Sequence, residues 1–364
     1  FHVLHVQQVM VEGTAAAITG PVSLYRFFPG MHIFAATLGL VADLSAYDSI
    51  LPLGIILYTV LVGPLSYLLV RLLTGRDLLA ICAALGTIMT YPISFYAVYF
   101  FPQALGVLSV FLLLYLAFRS NTATQLYRWR FTFISALVAV ATVVTHHLVF
   151  ILFAPLIVVI VALSTARNWG FGLSQVSSPS PRLYVLFAPW VMALAYWVFV
   201  GEEFIFGVWW VLGRIASELV FAQPSGGSSG TLTFGIELPT QTQALAAQGL
   251  FSLDGAYLAV LVGVFALGLA TALRFPELFE GALPILGPGV LSAVFIFKTP
   301  LLLPGLERAR LPLSLFFGVV LGIGLYRLVS VRPGLARGGS LLVLVVLATT
   351  APVYVQSGDD LYGV

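Results

Sequence analysis

The histidines of this sequence are its side chains best suited to proton transfer or metal binding near neutral pH. Two of them, His2 and His5, share a stripe with Gln8 and Glu12 at spacings of three and four residues, which predicts an amphipathic helix over Phe1–Thr19. The stripe is either a solvated polar face or a set of acids, bases and ligands. Under the second interpretation Glu12, His2 and His5 are the candidate catalytic residues, although their spacing matches no zinc motif such as H-E-x-x-H.

Thr145, His146 and His147 form a polar triplet inside the apolar run from Phe131 to Leu163. A membrane-spanning helix needs about 20 apolar residues, so the run predicts two short helices that meet in a tight turn at the triplet. Three interpretations stay open. The rings contact a ligand or a metal, with His146 joining His2 and His5; or Thr145 caps the second helix and the rings bond to loop carbonyls; or the pair binds haem, a poor fit for adjacent side chains.

Another candidate site surrounds the start of a second short helix, predicted from Pro29 to Asp43. This segment is too short to span a bilayer and therefore predicts a surface helix. The N-terminus of a helix attracts anions, and Arg26 and His32 stand beside it, so a phosphate or an anionic headgroup is a candidate ligand. The alternative is that Arg26 extends to lipid phosphates.

A basic group lies further along the chain, at Lys298, Arg308 and Arg310. Arginine binds phosphate through paired hydrogen bonds, which favours an anionic ligand; salt bridges to Glu202 or Glu203 are the alternative. The predicted substrate-binding residues are therefore Arg26, His32, His146, His147, Glu202, Glu203, Lys298, Arg308 and Arg310.

The composition is that of a membrane protein. Hydrophobic residues make up 60% of the chain and charged residues 8%, compared with about 25% charged residues in soluble domains. Long unbroken apolar runs predict an all-α fold, a polytopic transmembrane helix bundle with external interfacial helices. A single cysteine excludes a disulfide within the chain, and a net charge of +2 without a phosphate-binding glycine loop gives no reason to expect a nucleic-acid partner.

The apolar segments predict ten spans, at about 49–70, 78–95, 101–118, 131–145, 148–165, 183–200, 255–273, 281–297, 311–328 and 339–355. They divide the chain into a first external loop (1–47), a first bundle (48–200), a large external loop with an interfacial helix (201–254), a second bundle (255–355) and the start of an external tail (356–364).

The arginines orient these spans. One set of alternate loops holds 11 of the 16 basic residues, from Arg71 to Arg337, and the positive-inside rule makes those loops cytoplasmic. All five histidines then fall on the external side of the membrane or at its boundary. This prediction describes a multi-pass protein of the plasma membrane whose functional face is external, and it expects a further span ahead of Phe1.

The layout resembles the GT-C superfold of membrane glycosyltransferases, which includes protein O-mannosyltransferases, oligosaccharyltransferase catalytic subunits and archaeal relatives. The resemblance covers most of the chain and rests on the first external loop with two surface helices, the many spans and the large middle loop. Short segments that are similar to the family's are Phe28-Pro29-Gly30-Met31-His32, Phe101-Pro102-Gln103, Thr145-His146 and the Arg308/Arg310 loop that leads into a glycine-rich span.

The resemblance implies an enzyme of cell-envelope glycosylation that uses a polyprenyl-phosphate-linked sugar, with membrane lipids around it and a protein or glycan acceptor. It implies an acidic catalytic base just ahead of the first surface helix, here upstream of Phe1, and allows a divalent cation such as Mg²⁺ or Mn²⁺. Two other functions stay open: a transporter or flippase for a lipid-linked substrate, and a non-catalytic subunit of a larger assembly.

Overall fold

The structure, a computed structural model, describes residues 2–19, 23–57, 61–90, 93, 102–168, 181–201, 253–297 and 310–330. Within these residues the chain is helical and contains no strand, which confirms the all-α prediction. Two short 3₁₀ turns, Ala15–Ala17 and Ser23–Arg26, lie between the first two α-helices.

The α-helices of the described residues are numbered here in chain order. Their bounds are α1 His2–Glu12, α2 Gly30–Ala42, α3 Ala46–Leu57, α4 Gly63–Thr74, α5 Asp77–Ile88, α6 Pro102–Thr122, α7 Gln125–Thr145, α8 His147–Asn168, α9 Leu183–Phe199, α10 Leu253–Arg274, α11 Pro276–Phe297 and α12 Arg310–Ser330.

Helices occupy each predicted span up to residue 328. The predicted span 78–95 extends beyond the described residues, and the predicted span 339–355 lies outside them. The first predicted span, 49–70, contains two helices, α3 and α4. The two predicted surface helices are present as α1, with 11 residues, and α2, with 13 residues. At 1.5 Å per residue both are about 20 Å long or less, too short to cross a bilayer core of about 30 Å.

Within the described residues, three helices are long and apolar enough to cross a membrane: Pro102–Thr122, Tyr127–Thr145 and Pro312–Ser330. The second of them exposes large apolar side chains along one face, among them Phe133 (59% exposed) and Leu137 (55% exposed). An exposed apolar stripe of this length is unfavourable in water and is expected where a helix faces lipid. The structure therefore supports a membrane protein.

Helix α12 lies at the centre of the bundle, and every residue from 312 to 325 is buried. It contacts α5 through glycines: a Cβ on Gly322 would collide with the Cα of Ala83, and a Cβ on Gly318 with the Cα of Thr87. Such close backbone approach is how small residues stabilise helix pairs in membranes. The later glycine of α12 meets the earlier residue of α5, so the two helices are antiparallel.

The two surface helices and the turn between them contact the C-terminal ends of α7 and α9. A Cβ on Gly30 would lie 2.5 Å from Thr145 Oγ1 and 3.0 Å from Thr145 Cα, so the start of α2 contacts the end of α7. The Tyr196 hydroxyl donates a hydrogen bond of 2.6 Å to the Phe27 carbonyl oxygen. We call this part of the molecule, formed by α1, the start of α2 and the ends of α7 and α9, the histidine end.

The opposite end of the same helices carries arginines. At this end the Arg182 N–H donates to the Ala117 carbonyl (2.9 Å), and the Arg327 guanidinium lies 5.6 Å from the centre of the Phe275 ring. We call it the arginine end, and its described members are Arg71, Arg76, Arg119, Arg128, Arg130, Arg182, Arg274 and Arg327. The predicted separation of histidines from this set of arginines is therefore present in the fold.

Candidate functional site

Three histidines meet at the histidine end, and together they form the candidate site. His2, His5 and His32 each offer a ring nitrogen that lies within 4.8 Å of those of the other two. The ring centroids are 6.3 Å apart for His2 and His5 and 5.3 Å apart for the other two pairs. We call these three residues the histidine cluster.

Local helix geometry places the cluster. His2 and His5 are three residues apart on α1, so their side chains lie on the same face. That face also carries Val6 and Val9, which are buried, and His5 is itself 0% exposed. His32, the third residue of α2, is also 0% exposed. The interpretation of the stripe as a solvated polar face is therefore wrong for His5, which faces the protein interior, whereas Glu12 is exposed.

Tyr25 covers the cluster from the 3₁₀ turn between the two helices. Its ring centroid lies 5.1 Å from that of His2, 6.2 Å from that of His5 and 5.2 Å from that of His32. Tyr25 and His2 are both half-buried, whereas His5 and His32 are fully enclosed. The cluster is therefore reached from solvent on the side of Tyr25 and His2.

The hydrogen bonding inside the cluster is incomplete. His2 Nδ1 and His32 Nε2 are 3.0 Å apart, so one ring donates to the other. Among the described residues, neither ring nitrogen of His5 nor His32 Nδ1 has a hydrogen-bond partner of good geometry. A buried polar atom without a partner costs about 1–3 kcal/mol of stability, which native proteins usually avoid.

Burial keeps these imidazoles neutral. Removal from water, together with repulsion from His2 and His5, lowers the pKa of His32 from 6.5 to about 3. Burial and the neighbouring His5 lower the pKa of His2 to about 4, and burial also lowers that of His5, against a smaller opposite effect of the Thr19 backbone. A general base works best with a pKa near the working pH, so His2 and His32 suit ligand binding better than proton abstraction.

Glu12, the third predicted catalytic residue, is not part of the cluster. It is exposed at the C-terminal end of α1, about 15 Å along the helix axis from His2 at 1.5 Å per residue. Gln8, between them, donates from Nε2 to Thr19 Oγ1 at 3.1 Å and so ties α1 to the segment that follows. A reaction that used Glu12 and His2 on one bond would need the helix to move.

The predicted turn at Thr145-His146-His147 is confirmed. Helix α7 ends at Thr145, α8 begins at His147, and His146 between them has an extended backbone. The Thr145 hydroxyl donates back to the Ala141 carbonyl of α7 at 2.5 Å. His146 is 2% exposed, and it is not among the three residues whose ligand atoms lie together. The side chain of His147 lies outside the described structure.

The predicted basic residues are only partly described. Arg26 is exposed, with its guanidinium 4.6 Å from the centre of the adjacent Phe27 ring. Helix α12 begins at Arg310, and its antiparallel contact with α5 places that backbone at the end opposite Arg327. The side chain of Arg310 and the residues Glu202, Glu203, Lys298 and Arg308 lie outside what the structure describes.

A ring contact between α6 and α12 shows how far along the bundle axis the backbone of Arg310 lies from the histidine end. The rings of Phe111 and Phe316 are 6.2 Å apart, and both helices run from the histidine end to the arginine end. Arg310 precedes Phe316 by six residues, and Gly106, whose Cβ would lie 3.2 Å from His146 Cβ, precedes Phe111 by five. At 1.5 Å per residue the backbones of Arg310 and His146 lie at about the same depth.

The donor atoms of the cluster decide which cation it suits. Imidazole nitrogen favours Zn²⁺, Co²⁺, Ni²⁺ and Cu²⁺, whereas Mg²⁺ and Mn²⁺ favour oxygen. In the described part of the chain no other histidine, cysteine, aspartate or glutamate joins the three rings. The cluster therefore does not fit the predicted Mg²⁺ or Mn²⁺, and no step through either ion follows from these residues.

Comparisons of the chain with protein-family models, curated proteins and solved structures found no match. The function must therefore be argued from the site itself.

Sequence reasoning missed the grouping of His32 with His2 and His5, and the role of Tyr25 above them. The available signal was weak: the connection between α1 and α2 is short, Tyr25 lies within it, and His32 lies two residues after the start of α2. A helical wheel relates residues within one helix, so it cannot report a contact made across such a connection.

Proposed function

We propose that this chain is a glycosyltransferase-like protein of the plasma membrane that uses a polyprenyl-phosphate-linked sugar at its external face, in the assembly of surface glycans or glycoproteins. The observation that carries the proposal is the gathering of polar groups at one end of an apolar bundle. The histidine cluster, Arg26, His146 and the first residue of α12 lie at that end.

The physical case rests on the substrate. A sugar linked to a polyprenyl phosphate is too polar to react in hydrocarbon and too apolar to leave the membrane, so its chemistry belongs at a boundary. The arginine end is the cytoplasmic one under the positive-inside rule, which gives the histidine end to the external leaflet. Multi-pass topology with about ten spans is part of this proposal.

In this proposal the cations near the start of α12 receive the departing phosphate. Arg308 and Arg310 would stabilise the charge that develops on the phosphate as the bond to the sugar breaks. The acceptor's proton needs a base, and the neutral imidazoles, with their lowered pKa values, serve this purpose poorly. The GT-C resemblance implies an acidic residue, rather than an imidazole, as the base.

The test is transfer from a polyprenyl-phosphate hexose in membranes that contain the purified chain and native acceptors. We expect the double substitution Arg308→Ala and Arg310→Ala to lower kcat/KM by roughly 100-fold or more, as loss of a transition-state hydrogen-bond donor does. The matched control, Arg128→Ala with Arg130→Ala at the arginine end, should leave kcat/KM unchanged. Equal transfer by both double variants would refute the phosphate site, and movement of the donor across the membrane without transfer would favour a flippase.

A further inference from the structure

We propose that His2, His5 and His32 form a binding site for one late-transition-metal divalent cation of the Zn²⁺ or Co²⁺ class, with an open fourth position beneath Tyr25. This inference concerns the histidine cluster alone and does not depend on glycosyl transfer. Three observations carry it: the convergence of the ring nitrogens, the burial of ring nitrogens that lack partners, and the partial exposure of His2 and Tyr25.

The convergence is close to what a metal needs. Zn²⁺ binds imidazole nitrogen at about 2.0–2.1 Å in tetrahedral geometry, which sets ligand nitrogens roughly 3.3 Å apart. His2 Nδ1 and His32 Nε2 are already 3.0 Å apart, and no pair of ligand atoms exceeds 4.8 Å. Rotation of the His5 ring and small shifts of the other two rings would supply the remaining distance of roughly 1.5 Å.

The lone pairs that a cation needs are not fully used by the protein. His5 is 0% exposed, and among the described residues neither of its nitrogens has a hydrogen-bond partner of good geometry. The contact between His2 and His32 occupies one lone pair. A cation would replace that contact, and the donor ring would keep its proton by moving it to its other nitrogen. The ligand set would then be three neutral imidazoles.

The place of the fourth, open coordination position follows from the solvent exposure of the residues around the cluster. Helix α1 and the start of α2 close the site on the side of His5 and His32, whereas His2 and Tyr25 are only half-buried. A metal held by three protein ligands with one open position is the arrangement of catalytic zinc sites, where water or a substrate oxygen completes the tetrahedron. We therefore assign the open position to water or to an oxygen anion such as phosphate.

The experiment is metal binding by the full chain in detergent, stripped with a chelator and then titrated with Co²⁺ or Zn²⁺. We expect one equivalent per chain, the visible absorption of tetrahedral Co²⁺, and a rise in Tm on addition of Zn²⁺. Mg²⁺ should give neither effect. Absence of stoichiometric binding, or equal binding of Mg²⁺, would overturn the proposal.

Substitutions locate the site. His5→Gln and His32→Gln should each weaken Zn²⁺ binding by more than the roughly 10–100-fold that loss of an outer-shell partner costs. Gln7→Ala, on the exposed face of α1 and outside the cluster, is the matched control and should bind normally. Binding that survives the first two substitutions but is lost in the control would overturn the proposal.

A second variant covers the case in which these substitutions disturb folding. His32→Cys keeps a metal ligand, because thiolate also binds Zn²⁺ and Co²⁺. We expect it to retain one equivalent of Co²⁺ and to add a thiolate-to-cobalt charge-transfer band that the wild type lacks. A folded His32→Cys chain that binds Co²⁺ without this band would place the ion elsewhere and overturn the proposal. These readouts need no sugar donor, so failure here is separable from failure of the proposed transferase activity.

Discussion

At the arginine end the charged side chains are half-buried or exposed, and several of them meet carboxylates, hydroxyls or ring faces. At the histidine end two ionisable rings are 0% exposed and lack part of their hydrogen bonding. The pair Arg71 and Asp77, 2.7 Å apart with side chains 54% and 61% exposed, shows the first pattern. Ordinary solvation and lipid headgroups explain such residues. Burying unpartnered imidazoles costs stability, so the histidine end has a feature that folding alone does not favour.

The largest expected difference between the two ends is which side of the membrane each one faces. In a Cys82→Ser background, Gln7→Cys at the histidine end should react with an impermeant maleimide on intact cells. Thr124→Cys at the arginine end should react only after permeabilisation, since the proposed orientation places the two ends in opposite leaflets. Both positions are exposed. Equal labelling of both positions on intact cells would show that the two ends do not face opposite sides of the membrane.

The contact between α2 and α7 is the next most sensitive feature. Gly30→Leu should lower the free energy of unfolding by about 1–3 kcal/mol, because the added side chain meets the backbone of Thr145, which cannot yield. Thermal unfolding in detergent measures this. Gly263→Ala on α10 is the control, since its Cβ meets nothing within 4 Å and the change should be neutral or stabilising. If the two variants were equally stable, the histidine end would not depend on this contact.

The cost of the buried cluster predicts an unusual stabilising substitution. In the presence of chelator, His5→Leu should raise the free energy of unfolding by about 1–2 kcal/mol, because an apolar side chain replaces a buried ring whose nitrogens lack hydrogen bonds of good geometry. Addition of Zn²⁺ should reverse the order, since only the wild type can bind the ion. A variant that is less stable than the wild type in chelator would show that the His5 ring is well satisfied.

A single hydrogen bond attaches the turn before α2 to α9. Tyr196→Phe removes the hydroxyl that donates to the Phe27 carbonyl and should cost about 1 kcal/mol of unfolding free energy. Tyr184→Phe at the arginine end, where the hydroxyl of Tyr184 meets Thr132 in an exposed position, is the matched control and should cost less. A larger loss of unfolding free energy in the control would mean that the hydrogen bond at the arginine end contributes more stability than the one at the histidine end.

The smallest effect is expected at the exposed ion pair. Arg71→Gln should change the free energy of unfolding by less than about 1 kcal/mol, and less still in high salt, because solvent screens an exposed pair. Unfolding at low and high ionic strength measures it. A salt-independent loss greater than that of Tyr196→Phe would mean that the arginine end, too, depends on specific contacts.

The amino-acid sequence by itself determined the helices, the turn at His146 and the separation of histidines from most arginines. The physical reason is that these features follow from local pattern: apolar length sets a span, and the distribution of arginine between loops sets its direction. Glu12 shows the limit of such reasoning. Its spacing places it on the stripe with His5, yet the length of α1 keeps it away from His2.

Only the tertiary structure decided the histidine cluster. His32 joins His2 and His5 because α2 packs against α1 and Gly30 lets α2 approach Thr145 closely. The same docking buried His5 and left Glu12 exposed. Contacts between distant segments depend on packing and loop path rather than on helical period, so no periodicity could have placed these three rings together.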